Sequence, residues 1–242
     1  MALDIVDLAA FYTTPLGTHV AHKLADEIEK IWPQAAKGDD LVLGYGYAVP
    51  LTHLWPKADW HLLMPAQQGV MADTDGSSIL ADERYWPVRE NSVNRLLALH
   101  GLESATQVER LLDEAWRVLR PNGRALFVVA NRRGLWARRD KTPFGAGRPF
   151  SSGQMRQILR RTGFVPGAMR PALMLSPHLP LPMLRRLAWL ERGLSLAVPQ
   201  LGGVWLVEAV KQVPAPQSVE RARKARARNL VGVPRPALSP KL

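Results

Sequence analysis

Two glycines that follow an apolar run, separated by one residue, form an arrangement that could hold a nucleotide-type cofactor. The stretch LVLGYGYAVP spans residues 41–50 and places Gly44 and Gly46 at the turn. Glycine lets ligand atoms approach the backbone, and a helix that begins after such a turn directs its N-terminus at them. An ordinary tight turn uses the same residues, so the spacing alone leaves both interpretations open.

Three side chains could accept a proton from a bound substrate. His100 ends an apolar strand candidate, and a neutral imidazole takes up a proton near neutral pH. Glu103 could orient His100 or replace it as the base. Tyr12 is the third candidate, although packing in an aromatic core explains it as well. A structural role is the alternative for His100.

A basic stretch, NRRGLWARRDKTPFGAGRPF at residues 131–150, could bind an anionic acceptor. Arg132, Arg133 and Arg138 can pair with phosphate or carboxylate, and Trp136 with Phe144 offers stacking surfaces. Either an anionic small molecule or a nucleic acid would suit these residues. A solvated, arginine-rich surface is the alternative.

Positive charge is concentrated in two parts of the chain. The net charge is +11, yet residues 117–170 hold 13 Lys and Arg against 1 acid, and residues 213–242 hold 7 against 1. The last segment includes RARKARAR, has no core-forming pattern and is expected to be disordered. Such a tail could add attraction to RNA or to acidic lipid.

Apolar periodicity predicts alternating strands and helices, and hence a largely parallel sheet. The predicted helices are residues 4–10, 18–32, 106–119 and 153–162. The predicted strands are residues 41–44, 60–64, 77–80, 92–100, 125–130, 164–175 and 203–211. FYTTPLG at 11–17 and RPNG at 120–123 are predicted to interrupt them. An amphipathic helix at 182–198 could cover the sheet or lie on a membrane surface.

The order of these elements resembles the class I S-adenosylmethionine-dependent methyltransferases, of the methyltransferase type 11-like group. Two segments carry the resemblance: AWRVLRPNGRALFVVAN at 115–131 and ADERYWPVRENSVNRLLALHGLES at 81–104. It covers about residues 38–165 and implies an α/β, Rossmann-like three-layer sandwich whose mostly parallel sheet has an antiparallel last strand. The implied domains are an N-terminal helical cap (1–37), a methyltransferase-like domain (38–212) and a disordered basic tail (213–242).

The same resemblance implies S-adenosylmethionine as the cofactor and assigns its contacts. Gly44, Tyr45 and Gly46 would line the methionine part, and His100 would face the region between the sulfonium and the substrate. Asp82 and Glu83 would lie beside the adenine, with a solvated loop as their alternative. Gly46→Val is then expected to remove the cofactor without unfolding the protein.

The cofactor turn departs from the family pattern at three positions. Val42 and Ala48 stand where an acid and a third glycine are usual. Met64, followed by Pro65, replaces the carboxylate that binds the ribose hydroxyls, which weakens binding by roughly ten- to a hundredfold. Gln67 or Gln68 could substitute for it, or could simply be exposed at a helix start.

The sequence therefore predicts S-adenosylmethionine-dependent methyl transfer to a small-molecule or anionic acceptor. The alternatives are a binding or scaffold protein that kept the fold, and an RNA-binding or RNA-modifying protein that uses the basic loop and tail. No cysteine is present, and the six histidines show no HxxxH or HxH spacing, so no metal site is expected. The sequence predicts neither a transmembrane segment nor a secretion signal, and hence a cytoplasmic location.

Overall fold

The computed structural model describes residues 4–33, 41–69, 78–138 and 142–213. Arg139, Lys141 and the basic tail from residue 214 onward lie outside these residues. The domain boundaries and the disorder of the tail therefore stay predictions.

Seven strands form one sheet in the order β3-β2-β1-β4-β5-β7-β6. Strands β1 to β5 pair in parallel with their neighbours, whereas β7 runs antiparallel to both β5 and β6. This confirms the predicted sheet with its antiparallel last strand. The strands are β1 (Leu41–Gly46), β2 (Asp59–Pro65), β3 (Ser78–Ala81), β4 (Val93–Leu99), β5 (Leu119–Ala130), β6 (Val165–Ala172) and β7 (Val204–Val210).

Helices cover both faces of the sheet, as the three-layer prediction requires. Leu24 and Ile28 pack with Val42 on one face, and Leu112 packs with Leu43 on the other. Successive strand residues point to opposite faces, so each buried strand supplies both cores. The helices are α1 (Ile5–Thr13), α2 (Pro15–Ile31), α3 (Val108–Val118), α4 (Ser152–Arg161), α5 (Leu181–Arg186) and α6 (Leu190–Ala197).

The N-terminal helices are separated by a shorter break than the sequence predicted. Helix α1 continues through Phe11 to Thr13, and Thr14 is the only residue between the two helices. The Thr14 side chain caps α2 by accepting a hydrogen bond from the Gly17 backbone N–H at 3.0 Å. Pro15 occupies the first helical position, where its missing N–H costs no intrahelical hydrogen bond.

The RPNG segment was predicted as a turn before a strand, and it lies instead inside the long β5. Asn122 takes a left-handed φ of 64°, and its backbone N–H donates to Lys211 O at 2.8 Å. The register against β4 shifts between Val93 and Arg95. The segment therefore turns the backbone locally, while hydrogen bonds hold it to Lys211, the residue that follows β7.

The helix predicted at 182–198 is broken into α5 and α6. Among the described residues, α5 buries only Leu184 and α6 buries none. The face of the sheet is instead covered by α2, whose buried residues include Val20, Leu24 and Ile28.

The glycine turn is close-packed against the end of β4. Gly46 has a φ of +75°, and a Cβ built on it would stand 2.2 Å from Leu99 O. A Cβ on Gly44 would stand 2.6 Å from the Leu62 side chain. A short 3₁₀ helix, Val49–Leu54, follows in place of a full helix. The chain itself therefore occupies the space beside both glycines.

Gly46→Val is expected to destabilise the fold, contrary to the expectation from sequence. The left-handed backbone and the collision with Leu99 O together should lower the free energy of unfolding by at least about 2 kcal/mol. Gly193→Ala is the control, because no atom lies within 4 Å of its added Cβ, and it should be neutral or stabilising. Urea unfolding of both variants measures the difference; equal stability would place Gly46 in open space.

Candidate functional site

The carboxyl ends of β1 and β4 meet at the site that the sequence predicted. Gly46 pairs with Leu99 in the parallel ladder, and the Tyr47 backbone N–H donates to Leu99 O at 2.8 Å. His100 follows immediately with a left-handed φ of 57°. Ligand crevices of open parallel sheets lie at this edge, next to the point where strand order reverses.

The structure brings two of the three predicted catalytic residues into direct contact. Tyr12 Oη and His100 Nε2 are 2.9 Å apart, although 88 residues separate them in sequence. The Tyr12 ring stacks on Tyr47 at a centroid distance of 5.7 Å, and His100 lies 4.9 Å from the Phe144 ring. Helix α1 is thereby fixed over the end of β4.

Burial keeps both groups of this pair neutral. Desolvation lowers the pKa of His100 to about 3, and only 1% of the residue is exposed. The pKa of Tyr12 is raised well above its usual value, mainly by burial and then by the nearby Glu103 charge. The phenol keeps its proton and can donate it to Nε2, which would leave the imidazole proton on Nδ1.

Glu103 is the third predicted catalytic residue. It is buried, and it lies close enough to Tyr12 for its charge to raise the pKa of the phenol. Its Oε1 accepts the Ala130 backbone N–H at 2.5 Å, so the side chain connects the ends of β4 and β5. Oε2 has no hydrogen-bond partner among the described residues. Burial raises the pKa of Glu103 to about 7, against the lowering effect of its backbone hydrogen bonds. A carboxyl group with this pKa exchanges protons at neutral pH.

Gln68 also belongs to this site, in a role that the sequence did not reveal. It is buried, and its Nε2 donates to His100 O at 2.5 Å and to Ser104 Oγ at 3.0 Å. Its backbone oxygen accepts the Ile5 N–H at 2.9 Å, which ties the start of α1 to the same place. No local pattern marks this glutamine, because its partners lie more than 30 residues along the chain.

Glu83, predicted beside the adenine, makes contacts within the protein. Its carboxylate is buried and accepts the backbone N–H groups of Thr106 and Gln107 at 2.8 and 2.9 Å, and it also contacts the Thr106 hydroxyl. These residues precede α3, so Glu83 satisfies donors at the start of that helix and complements its dipole. Asp82 is more exposed and pairs with Arg84 at 2.9 Å. That pairing lowers the pKa of Asp82 to about 2.

Met64 and Tyr45, also predicted at the cofactor, are buried in the core. Met64 lies in the layer under α2, with Val42 and Leu97. Tyr45 points to the opposite face and stacks on Trp86 at a centroid distance of 4.7 Å. In this conformation Gly46 is the predicted turn residue that lies nearest to His100 in the backbone.

The predicted acceptor residues separate into an exposed pair and a buried ring. Arg132 and Arg133 are exposed directly after β5. Trp136 is only 2% exposed; its indole N–H donates to Leu175 O at 2.8 Å and its ring packs edge-on against Phe144. Arg138 ends the short 3₁₀ helix Trp136–Arg138. The two aromatic rings expected to stack on a ligand therefore pack against each other.

Three buried polar atoms at the end of β4 could bind a polar ligand, because the described residues give them no partner. His100 Nδ1, Glu103 Oε2 and Gln68 Oε1 lack partners within the described part of the chain. An unpaired buried polar atom costs about 1 to 3 kcal/mol, which a ligand that paired with it would recover. A sulfonium or amine would suit the Glu103 carboxylate. At the ribose position, buried Met64 and Pro65 supply no carboxylate.

The described residues contain no group of three or more His, Cys, Asp and Glu side chains that could hold a metal ion. None of their helices is long and apolar enough to cross a bilayer.

Comparison with known sequences places a methyltransferase domain on residues 65–127, from the end of β2 to the middle of β5. A search of the curated proteins finds no match. The matched segment contains the His100 to Glu103 region and ends before the basic loop.

Solved methyltransferases share the fold over most of the chain. An S-adenosylmethionine-dependent methyltransferase from Thermotoga maritima, a possible histamine N-methyltransferase, is 14% identical with a TM-score of 0.58, covering 86% of this chain and 96% of that one. The Haloferax volcanii complex of a putative methyltransferase with its Trm112 activator is 15% identical with a TM-score of 0.58, covering 88% of this chain and 100% of that one. Geranyl diphosphate C-methyltransferase from Streptomyces coelicolor, bound to S-adenosylhomocysteine, is 13% identical with a TM-score of 0.52, covering 88% of this chain and 89% of that one. Identities this low establish the fold.

Glu83→Ala is expected to lower the free energy of unfolding by about 2 kcal/mol, because it removes the hydrogen bonds and the charge at the start of α3. Asp82→Ala is the matched control, since its exposed pair with Arg84 should contribute much less to stability. Chemical denaturation measures both. Equal losses would contradict the capping role of Glu83.

Glu103→Gln is expected to change how stability depends on pH. At low pH the folded and unfolded states both hold the Glu103 proton. As pH rises toward 7 only the unfolded state releases it, so the free energy of unfolding of the natural protein should fall by about 3 kcal/mol. The glutamine variant lacks this loss, so its free energy of unfolding should rise relative to that of the natural protein between about pH 4.5 and 8.

Glu114→Gln is the control for this pH dependence. Glu114 pairs with Arg117 at 2.7 Å, which lowers its pKa, so its replacement should destabilise the protein at neutral pH. Denaturant melts across the pH range measure both variants. A parallel response of Glu103→Gln and the natural protein would show that Glu103 ionises as an ordinary glutamate.

Proposed function

We propose that this chain is a class I S-adenosylmethionine-dependent methyltransferase that methylates a nucleophile held beside Glu103 at the carboxyl end of β4. The methyltransferase domain matched at residues 65–127 and the fold shared with solved methyltransferases support this proposal. The observation that carries this proposal is the buried Glu103 carboxyl, with its free Oε2 and its pKa of about 7, at the edge where the family places its chemistry. S-adenosylmethionine supplies a methyl carbon already activated by its sulfonium, so the protein mainly has to align the nucleophile and remove its proton.

Glu103 is better suited than His100 to remove that proton. A base works best when its pKa lies near the working pH, and such catalysis contributes about a hundred- to ten-thousandfold in rate. The buried imidazole has a pKa of about 3 and is too weak a base in this conformation. The Tyr12–His100 pair would instead hold the nucleophile or the cofactor in place. The sequence suggested His100 as the base and Glu103 as its substitute; we propose the reverse order.

The cofactor would bind over the ends of β1 and β4, on the outer side of the backbone contact between Tyr47 and Leu99. Asp82 would reach the adenine by giving up part of its contact with exposed Arg84. Helix α1 lies over this edge through Tyr12 and through the Ile5 backbone hydrogen bond to Gln68. Access to this edge would therefore require α1 to shift, against the burial of Ile5, Leu8 and Tyr12 in the core.

An anionic acceptor suits the surface next to Glu103. Arg132 and Arg133 are exposed immediately after β5. The loop is held there by Asn131, whose side chain donates to Gly202 O at 2.7 Å and to Gln200 O at 2.9 Å. Two arginines on a fixed loop can pair with a carboxylate or a phosphate of the acceptor.

Binding of S-adenosylmethionine should strengthen with pH if its sulfonium lies near Glu103. The cation favours the ionised carboxylate, so the affinity should rise by about tenfold between pH 6 and 8 and proton release should accompany binding. S-adenosylhomocysteine, a neutral thioether, should show a smaller rise. Calorimetry in buffers of different ionisation enthalpy measures both.

Glu103→Gln should remove this pH dependence, whereas Glu109→Gln, which changes an exposed acid on α3, should keep it. If the affinity of the natural protein does not depend on pH, the sulfonium does not lie near Glu103. The absence of heat and of a thermal shift at millimolar concentrations of either ligand would falsify cofactor binding and favour a scaffold role.

A further inference from the structure

Helices α5 and α6 present an unusual surface, because apolar side chains project from them into solvent. Trp189 is 72% exposed and Leu196 is 86% exposed, and Met183 is about half exposed. Large apolar groups exposed together mark interaction surfaces far more often than single ones do. Among the described residues, the two helices bury only Leu184, so this segment contributes little to the core.

Arginines alternate with these apolar residues along the segment. Met183 and Arg186 lie on α5, Arg192 and Leu196 lie on α6 one turn apart, and Trp189 lies in the turn between the two helices. All five are exposed. We call these residues, together with the exposed Arg185, the docking face.

The docking face carries net positive charge. Residues 181–198 contain three arginines and one acid, Glu191. Glu191 is paired with Lys23 of α2 at 3.3 Å, so it does not offset the arginines. A partner that meets this face must therefore be anionic and must also accept Trp189 and Leu196 into an apolar layer.

Grooves flank α6 on both sides. A groove of about 1050 Å³ separates it from α2, and another of about 420 Å³ separates it from α4. Ser195 and Leu196 line both, so α6 is the ridge between them. The α2 wall carries Asp26 and Glu29, whereas the α4 side carries Arg156 and is the better place for an anionic headgroup.

We propose that the docking face lies on a lipid bilayer that contains anionic headgroups. Tryptophan and leucine would enter the interface while the arginines contact the headgroups, as in helices that lie in the plane of a membrane. A nucleic acid would match the arginines but would leave Leu196 and Met183 in water. The inference does not depend on methyl transfer.

The docking face is near the edge of the sheet that holds the candidate site. Ala172 at the end of β6 pairs with Val204, which pairs with Ala130 at the end of β5. Leu173 and Met174, which follow β6, line the same groove as Trp189 and Leu196. The next residue, Leu175, accepts the indole N–H of Trp136 at 2.8 Å. A bilayer under this face would therefore approach the same edge of the sheet as the acceptor.

Vesicle sedimentation with the full chain tests the proposal. We expect binding to phosphatidylcholine vesicles with about one quarter phosphatidylserine and little to phosphatidylcholine alone. Replacing Arg185, Arg186 and Arg192 by Gln should weaken binding by about a hundredfold. Replacing Arg89, Arg110 and Arg120, which are exposed elsewhere, removes the same charge and should have a much smaller effect. Equal losses would overturn the docking face and assign binding to net charge.

A fluorescent label separates this face from the basic tail, which could also attract anionic vesicles. The chain has no cysteine, so Leu196→Cys provides a single attachment point for an environment-sensitive dye. Vesicles with phosphatidylserine should shift its emission to the blue, and brominated lipid should quench it. The same dye on Tyr85→Cys, a residue that is 71% exposed, should not respond.

Three results would overturn the proposal. An unchanged dye at position 196 on sedimented protein would assign binding to another segment. A blue shift that depends on protein concentration without vesicles would identify a contact between two copies of the chain. No sedimentation of the natural protein with anionic vesicles would exclude the bilayer altogether.

Discussion

Close backbone contact between the ends of β1 and β4 determines where the candidate side chains lie. Gly46 can take its left-handed conformation beside Leu99 O because it has no Cβ, and Tyr47 then donates to that same oxygen. The contact fixes the start of the loop that holds His100 and Glu103. The contact also gives Gly46 a structural role that does not depend on a cofactor. Gly44 and Gly46 are both required by the packing of the fold, because a side chain at either position would collide with neighbouring residues.

The local parts of the fold could be predicted from the sequence, because their causes are local. The apolar run at 41–44 identified β1, and Ser151 with Gln154 forms the capping box that begins α4. RPNG was misplaced for the opposite reason: its proline and glycine permit a turn, but distant pairing with Lys211 O keeps it in β5. Pattern alone does not reveal a partner that lies about ninety residues away.

The candidate site shows the same division. His100 and Glu103 follow a strand and could be found from that position. The contacts that give them their properties, from Tyr12 and Ala130, join segments that only the folded chain brings together. Glu83 was placed at the adenine because its neighbours resemble a family segment, yet its oxygens meet backbone donors at 106 and 107. A buried carboxyl group with an unpaired oxygen, such as that of Glu103, lowers the stability of the fold.

Phe144 touches three separate parts of the chain: Phe11 of α1 at a centroid distance of 6.2 Å, His100 after β4, and Trp136 in the basic loop. Because one ring packs against all three segments, their stabilities are coupled. A change that loosens one of them removes packing from the other two.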